Sequence, residues 1–193
     1  NDCAGFYTTR VLAPYLMEAL FLLSEGYRVQ DIDAAAQNLG FAVGPITLMD
    51  EVGIDVGAKV TAIMKAHYSD HMDFPEIEAT ELFISDGRLG KKTSKGFYKY
   101  NNGRSVYQNG QKVVDETIYT FLPTGVAAQK ASSELGRRLL MVLVNEALRC
   151  FEENILMSAE AGDLGAVFGI GYPPMKGGPF KTIDSMGAEK VLQ

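Results

Sequence analysis

Cysteine, histidine and long apolar runs are scarce in this sequence, and their scarcity narrows the range of possible functions. Two cysteines, Cys3 and Cys150, are too few for a disulfide framework, so we expect a reducing, cytoplasmic environment. Two histidines cannot supply a Ser-His-Asp or Cys-His nucleophile set. No run reaches the roughly 18 apolar residues that a membrane span needs. The sequence shows no charged-then-apolar leader, so we do not expect secretion.

Positive charge is scarce as well. The formal net charge is −6, and Lys and Arg are dispersed except in residues 88–99. A basic face for nucleic acid is therefore not supported, and we expect no nucleic acid partner. Hydrophobic residues make up 47% of the 193 residues, which is enough for one sizeable core or two small ones.

Two stretches of the chain carry the same residues in the same order and at the same internal spacings. Each has an arginine and a glutamate, and later a Gly-Pro pair, an aspartate and a glycine. These positions are Arg10, Glu18, Gly44, Pro45, Asp50 and Gly53 in the first copy, and Arg138, Glu146, Gly178, Pro179, Asp184 and Gly187 in the second. The period is too long for a solenoid, so we predict two copies of a small helical subdomain, packed about a pseudo-twofold axis.

Apolar residues recur at helical spacing in residues 12–23 and 140–151. Pro45 and Pro179 should each open a third helix, because the missing N–H of proline would be unpaired in a first turn anyway. Helical pattern also covers residues 31–39, 54–67 and 75–84. We predict an all-α chain.

The connection between the copies differs in kind. Asn102-Gly103 and Asn109-Gly110 are strong turn dipeptides, so residues 97–114 should form a small β-hairpin or an irregular loop. We expect residues 1–100 to form the first repeat, residues 101–130 a linker, and residues 131–193 a shortened second repeat.

Two motifs have a functional and a simpler interpretation, and the simpler one is favoured for both. Gly169-Ile170-Gly171 could suggest a dinucleotide loop, but no strand precedes it and prolines follow where a helix should start. His67 and His71 lie four residues apart, as metal ligands can, with aspartates nearby. No cysteine or third histidine accompanies them, so we expect a solvated helix end and no metal site.

Glu18 and Glu146 lie at equivalent positions inside otherwise apolar helices. A catalytic carboxylate is one interpretation. A structural role is favoured, because duplication retains such a role in both copies more readily than a catalytic one. We expect each glutamate to accept hydrogen bonds from the amides of a neighbouring helix N-terminus, at Pro45 or Pro179.

Residues 88–96 hold a cluster of cations and hydroxyls between two glycines. This chemistry suits the phosphate or carboxamide groups of a ligand. A solvated basic loop would have the same composition, and the residues alone leave both interpretations open.

Taken together, these residues resemble the C-terminal region of the 3-hydroxyacyl-CoA dehydrogenases, in the two-copy form found in the bacterial fatty acid oxidation complex. The resemblance extends over almost the whole chain, in strings that begin at Asp2, Arg10, Gly44, Gly90 and Val167. It implies an all-α fold of two tandem bundles, similar to the C-terminal domain of 6-phosphogluconate dehydrogenase. Single-copy members of the family dimerise through this domain.

The resemblance also implies that the active enzyme is larger than this chain. In the family a Rossmann domain that holds NAD and a catalytic His–Glu pair comes first, and an enoyl-CoA hydratase/isomerase domain can precede it. Neither motif set is present here, and the sequence begins at Asn1 with residues typical of mid-protein sequence. We therefore expect a fragment without catalytic residues, inactive alone. Its implied partners are acyl-CoA, the missing N-terminal domains and a thiolase β subunit.

Three ligand contacts follow from the resemblance. Thr9 occupies the position at which the family's Gly-Phe-x-Val-Asn-Arg motif places its Asn against the substrate. This is a departure, since threonine keeps a hydroxyl but loses the amide. Lys92 matches a lysine near NAD, and Phe168 matches an aromatic residue that meets substrate. The alternative is a purely structural or dimerisation module of helices that makes no ligand contacts.

Overall fold

The computed structural model describes residues 1–74, 78–122 and 132–187. Its helices are α1 (Phe6–Ser24), α2 (Val29–Asn38), α3 (Pro45–Val52), α4 (Ile54–Tyr68), α5 (Glu78–Ser85), α6 (Ser132–Glu152), α7 (Ala159–Ile170) and α8 (Pro179–Met186). The order α1–α2–α3 recurs as α6–α7–α8, and the third helices begin at Pro45 and Pro179 as predicted. Of the helix predicted over residues 75–84, residues 75–77 lie outside the described residues.

The segment between the copies contains two short antiparallel pairs. Strand β1 (Tyr100–Asn101) pairs with β2 (Arg104–Ser105), and β3 (Tyr107–Gln108) pairs with β4 (Gln111–Lys112). Asn102 and Asn109 have φ angles of 48° and 52°, the left-handed conformation that Asn-Gly turns require. The segment predicted as a small β-hairpin or an irregular loop thus contains two short hairpins, and the regular structure in the rest of the described residues is mainly helical. None of the described helices has the length and apolar character to cross a bilayer.

The core lies where α1 and α6, the equivalent first helices of the two copies, pack against each other. Their facing residues recur every three or four positions and are almost fully buried, which is the pattern of an apolar helical stripe. They are Val11, Tyr15, Ala19 and Leu22 on α1, and Leu139, Leu143, Val144, Ala147 and Cys150 on α6. Burial raises the pKa of the Cys150 thiol to about 12, which leaves it protonated and unreactive.

Reciprocal ion pairs join the copies at this crossing. Nε of Arg10 donates to Oε1 of Glu146 at 2.6 Å, and Nε of Arg138 donates to Oε1 of Glu18, also at 2.6 Å. The terminal nitrogens of each arginine donate hydrogen bonds to a second glutamate of the opposite copy. This glutamate is Glu153 for Arg10 and Glu25 for Arg138. The repeated arginine-to-glutamate spacing therefore reflects one interaction that is made twice between the copies.

The expected partners of Glu18 and Glu146 were wrong, although their structural role stands. The helix N-termini at Pro45 and Pro179 are held by aspartates from the second helices. Oδ1 of Asp33 accepts from the Ile46 amide at 2.8 Å, and Oδ1 of Asp163 accepts from the Phe180 amide at 2.8 Å. An arginine outcompetes a helix N-terminus for the glutamates because its planar fork binds a carboxylate with charge-assisted hydrogen bonds.

Asp33 and Asp163 also explain the glycine that precedes each of these prolines. A Cβ on Gly44 would lie 2.3 Å from Cγ of Asp33, and one on Gly178 would lie 2.2 Å from Oδ1 of Asp163. Each carboxylate thus sits where any side chain on the preceding residue would be. The Gly-Pro pair is the sequence signature of an aspartate-capped helix start.

Asp50 attaches the insert to the first copy. Its two carboxylate oxygens accept from the Phe97 and Tyr98 amides, each at 2.9 Å, and from the Tyr100 hydroxyl at 2.9 Å. Its sequence equivalent, Asp184, is exposed and lies 3.8 Å from Lys181. The two aspartates match in sequence but have different roles in the structure.

Candidate functional site

A cavity of about 300 Å³ lies beside α1, between α3, α4 and α5. On α1 its lining residues share one helical face: Thr9, Leu12, Ala13, Leu16, Met17 and Leu20. From Thr9 to Leu20 this face extends about 16 Å at the usual helical rise. The opposite wall comes from α4, with Ile54, Gly57, Ala58, Val60 and Thr61.

The lining is apolar apart from three threonines, Thr9, Thr61 and Thr80. None of the described lining residues is titratable. Phe83 and Phe97 also line the cavity and stack edge to face, with ring centroids 5.6 Å apart. Such a cavity can bind a hydrocarbon chain and exclude water from it, but the described lining contains no group that could exchange a proton at neutral pH.

Thr9 lies in the cavity wall, near the start of α1. The first turn of that helix divides its side chains between two neighbours. Thr9 lines the cavity, whereas Thr8 lies against α7, where a Cβ on Gly169 would come within 2.5 Å of the Thr8 methyl group. Arg10 follows and is held by the glutamates of the second copy. The position of Thr9 is therefore fixed by contacts on either side of it.

Lys92 lies at the edge of this region and is not among the described lining residues. Its ammonium pairs with Asp55, in the first turn of α4, and lies 3.0 Å from where a Cβ on Gly53 would be. The hydrogen bond from Lys92 lowers the pKa of Asp55. The Lys92 side chain remains 45% exposed, so it pairs with Asp55 and still faces solvent.

The glycines that frame the Lys92 loop have a packing explanation. A Cβ on Gly90 would lie 2.3 Å from the carbonyl oxygen of Asp50, and one on Gly96 would lie 2.2 Å from its Oδ1. The loop is therefore glycine-framed because it presses against Asp50. Its Lys95 is also paired, with Asp86 at 2.9 Å.

Phe168 lies outside the cavity. Its side chain is 84% exposed on α7, and Leu164, one turn earlier, is also exposed. Two glycines on another face of α7 allow it to approach α1 closely. Gly165 lies against Tyr7, and the Tyr7 hydroxyl donates to the carbonyl oxygen of Gly162 at 2.9 Å. The structure thus brings Thr9 into the cavity, leaves Lys92 at its edge, and places Phe168 on an outer surface.

The sequence analysis did not identify the small residues of α4 that line the cavity. Gly57, Ala58 and Thr61 lie in a segment whose helical pattern was recognised, and they share a helix face. Their signal is small size at positions where a packed helix would carry larger apolar residues. A Cβ on Gly57 would meet no heavy atom within 4 Å.

The two histidines also occupy different surroundings. His67 is exposed and its Nδ1 lies 2.9 Å from the Ile63 carbonyl oxygen, within α4. His71 lies just beyond the helix, with its Nε2 3.5 Å from Oε2 of Glu146. The sequence analysis predicted that both histidines lie at a solvated helix end. In the structure only His67 does so, and the His71 side chain is largely buried beside Glu146.

Comparison with known proteins agrees with these features. The family model of the 3-hydroxyacyl-CoA dehydrogenase C-terminal domain matches residues 5–100. The fatty acid oxidation complex subunit alpha of Shewanella amazonensis is 45% identical over 193 residues, which are 100% of this chain and 26% of that protein. The corresponding subunit of Vibrio cholerae is 42% identical over 193 residues, with the same two coverages.

Solved structures share the fold. The 3-hydroxybutyryl-CoA dehydrogenase of Escherichia coli K12 superposes with a TM-score of 0.74 at 21% identity, over 98% of this chain and 54% of that one. The dehydrogenase part of multifunctional enzyme 1 from C. elegans gives 0.65 at 26% identity, over 89% of this chain and 38% of that one. The chain spans about a quarter of the length of the curated relatives it matches. It belongs to the 3-hydroxyacyl-CoA dehydrogenase C-terminal domain family.

Proposed function

We propose that this chain forms the substrate-side wall of an NAD-dependent 3-hydroxyacyl-CoA dehydrogenase within a fatty acid β-oxidation multienzyme subunit. The observation that carries the proposal is the apolar cavity with Thr9 in its wall. An acyl chain is a hydrocarbon attached to a polar thioester and hydroxyl. The cavity offers a matching arrangement, since an apolar groove along α1 begins beside the Thr9 hydroxyl.

In the proposed reaction, 3-hydroxyacyl-CoA becomes 3-ketoacyl-CoA as hydride leaves C3 for NAD and a general base removes the hydroxyl proton. The described lining of the cavity contains no titratable group, and we assign the base to a domain outside this chain. The chain would bind the acyl group, orient C3 by its contact at Thr9, and exclude water. Thr9 can donate or accept one hydrogen bond at the substrate, where an asparagine could do both at once.

The described residues fit NAD only at its periphery. They offer no glycine-rich turn between a strand and a helix that would cradle a pyrophosphate. Lys92 keeps a partly exposed ammonium near the junction of α3 and α4, where it could meet a polar group of the cofactor. The cofactor would therefore be held mainly by a preceding Rossmann domain. A cytoplasmic location and a thiolase β subunit as partner extend the same proposal.

The second candidate is a purely structural helical module. The reciprocal pairs of Arg10 and Arg138 favour it, because the arginine-to-glutamate spacing that both copies share serves the packing of one copy against the other. The two candidates differ at one point. The first requires the cavity to be filled by substrate, and the second leaves it without a ligand.

Substituting the middle of the cavity wall separates the candidates. In the full-length subunit that carries this chain, Leu16→Gln places an amide among apolar residues. An acyl chain bound over this amide would bury it without a hydrogen-bond partner, which costs about 1–3 kcal/mol of binding. We therefore expect kcat/KM for 3-hydroxydecanoyl-CoA to fall about tenfold, which corresponds to 1.4 kcal/mol.

The matched control is Leu82→Gln, at an exposed leucine of α5 that is not a lining residue. It should leave kcat/KM unchanged. Equal kinetic constants for both variants and the parent, with equal melting temperatures, would exclude the substrate wall and leave the structural module.

A further inference from the structure

Gly57 is a glycine that the packing of this chain does not require. It is the fourth residue of α4, and a Cβ built on it would meet no heavy atom within 4 Å. It lies in a helix, where glycine is less stable than alanine because it loses more backbone freedom on folding. By contrast, Gly44 and Gly96 leave no room for a side chain, because Asp33 and Asp50 occupy the space.

The space beside Gly57 is the cavity itself. Gly57 lines it from α4, opposite the face of α1 that begins at Thr9 and reaches Leu20. A side chain at this position would point into the cavity without displacing a neighbour. The missing side chain therefore enlarges the cavity at the expense of helix stability.

We propose that Gly57 is a specificity-determining residue, whose lack of a side chain lets the cavity accept medium-length or longer acyl chains of 3-hydroxyacyl-CoA. The proposal rests on the function proposed above. An extended alkyl chain advances roughly 1.3 Å per carbon at ordinary bond lengths and angles. The α1 face of about 16 Å therefore accommodates on the order of 12 carbons. A larger residue at position 57 would shorten this path and displace the end of a long chain, while a short chain would still fit.

The test compares chain lengths in the full-length subunit. Gly57→Leu fills part of the cavity, and kcat/KM is measured with 3-hydroxybutyryl-CoA and with 3-hydroxydodecanoyl-CoA. Each buried methylene is worth about 0.8 kcal/mol, so the loss of two from the cavity lowers kcat/KM about tenfold. We expect that loss for the dodecanoyl substrate and an unchanged value for the butyryl substrate.

Ala62→Leu is the matched control, because it introduces a leucine at an exposed position of the same helix, α4. It should leave both substrates unaffected. A ratio of the two kcat/KM values that Gly57→Leu does not change would overturn the role of Gly57. So would an equal loss for both substrates, which the melting temperature would assign to altered folding.

The two proposals fail in different ways. If Leu16→Gln lowers activity while Gly57→Leu leaves the chain-length ratio unchanged, the substrate wall stands and the specificity role of Gly57 is wrong. If Leu16→Gln has no effect, the cavity does not bind substrate, and both proposals fall together.

Discussion

Arg10 and Glu146 are joined by a hydrogen bond of 2.6 Å, and both side chains are almost fully buried. Their counterparts in the repeated pattern, Arg138 and Glu18, make the same bond at 2.6 Å, but Arg138 is 30% exposed. The chain therefore contains one ion pair in two environments. This provides an internal comparison of how burial changes what a charge pair contributes.

We expect Arg10→Met to destabilise the chain by about 3–5 kcal/mol, because it removes the arginine that pairs with the buried carboxylate of Glu146. Arg138→Met should cost about 1 kcal/mol, as expected for a pair that solvent reaches. Urea denaturation of the two variants measures both free energies. Adding Glu146→Gln to Arg10→Met should restore part of the loss. Equal losses of stability for the two arginine variants would contradict the expectation that burial increases the cost of breaking the pair.

Asp50 should make stability depend on pH. Burial raises the pKa of its carboxyl from 3.8 to about 6. Between these values the folded state holds a proton that the unfolded state has released, so the free energy of unfolding falls as pH rises through this window. At 1.36 kcal/mol per pKa unit the contribution is at most about 3 kcal/mol.

The check is to measure denaturation midpoints from pH 4 to pH 7 for the parent chain and for Asp50→Asn. The variant should show a shallower decline over this window, whatever its stability at any one pH. The lowered pKa values of Asp115 and Glu153 act in the opposite sense and at lower pH, as those carboxylates become protonated. Parallel curves for the two proteins would mean that Asp50 does not titrate in this range.

Lys92→Ala should weaken NAD binding or catalysis in the full-length subunit, with little loss of stability. A charge-assisted hydrogen bond to the cofactor contributes roughly 1.5–3 kcal/mol to binding. Asp55→Ala is the matched control, because it removes the partner of Lys92 and keeps the ammonium. It should leave KM for NAD nearly unchanged. If both variants alter KM for NAD equally, Lys92 acts only through its pair with Asp55.

The chain alone should be monomeric and without dehydrogenase activity. The apolar face of α1, which a single-copy relative would bury against another subunit, is here covered by α6. Sedimentation measures the first expectation, and NADH formation from a 3-hydroxyacyl-CoA at high protein concentration measures the second. A tight dimer through these same helix faces, or turnover by the chain alone, would contradict the internal pairing or the dependence on another domain.

Local sequence features predicted the local structure well. Pro45 and Pro179 marked their helix starts because proline suits only a first turn there. Asn102 and Asn109 marked the turns of the insert because few other residues adopt their backbone conformation. Each of these features depends on residues within a few positions of it, which is the range over which a sequence pattern is informative.

The partners of the buried charges could not be predicted in the same way. Glu146 and Arg10 are far apart in the chain, and the repeated spacing showed that they matter without showing that each copy serves the other. The cavity was equally hidden, because helical periodicity identifies the apolar face of α4 but does not show whether that face is packed. Gly57 could be interpreted only once its surroundings were visible.

The reciprocal pairs also have a consequence for synthesis on the ribosome. Arg10 emerges well before the glutamates that neutralise it, because Glu146 and Glu153 are made only after the whole insert has been translated. Until then the first copy carries an arginine that it cannot bury, so its core cannot close. Contacts this distant in sequence slow folding. The two copies should therefore complete their folding in one late step, and a nascent chain that stops before α6 should be an early target for chaperones and proteases.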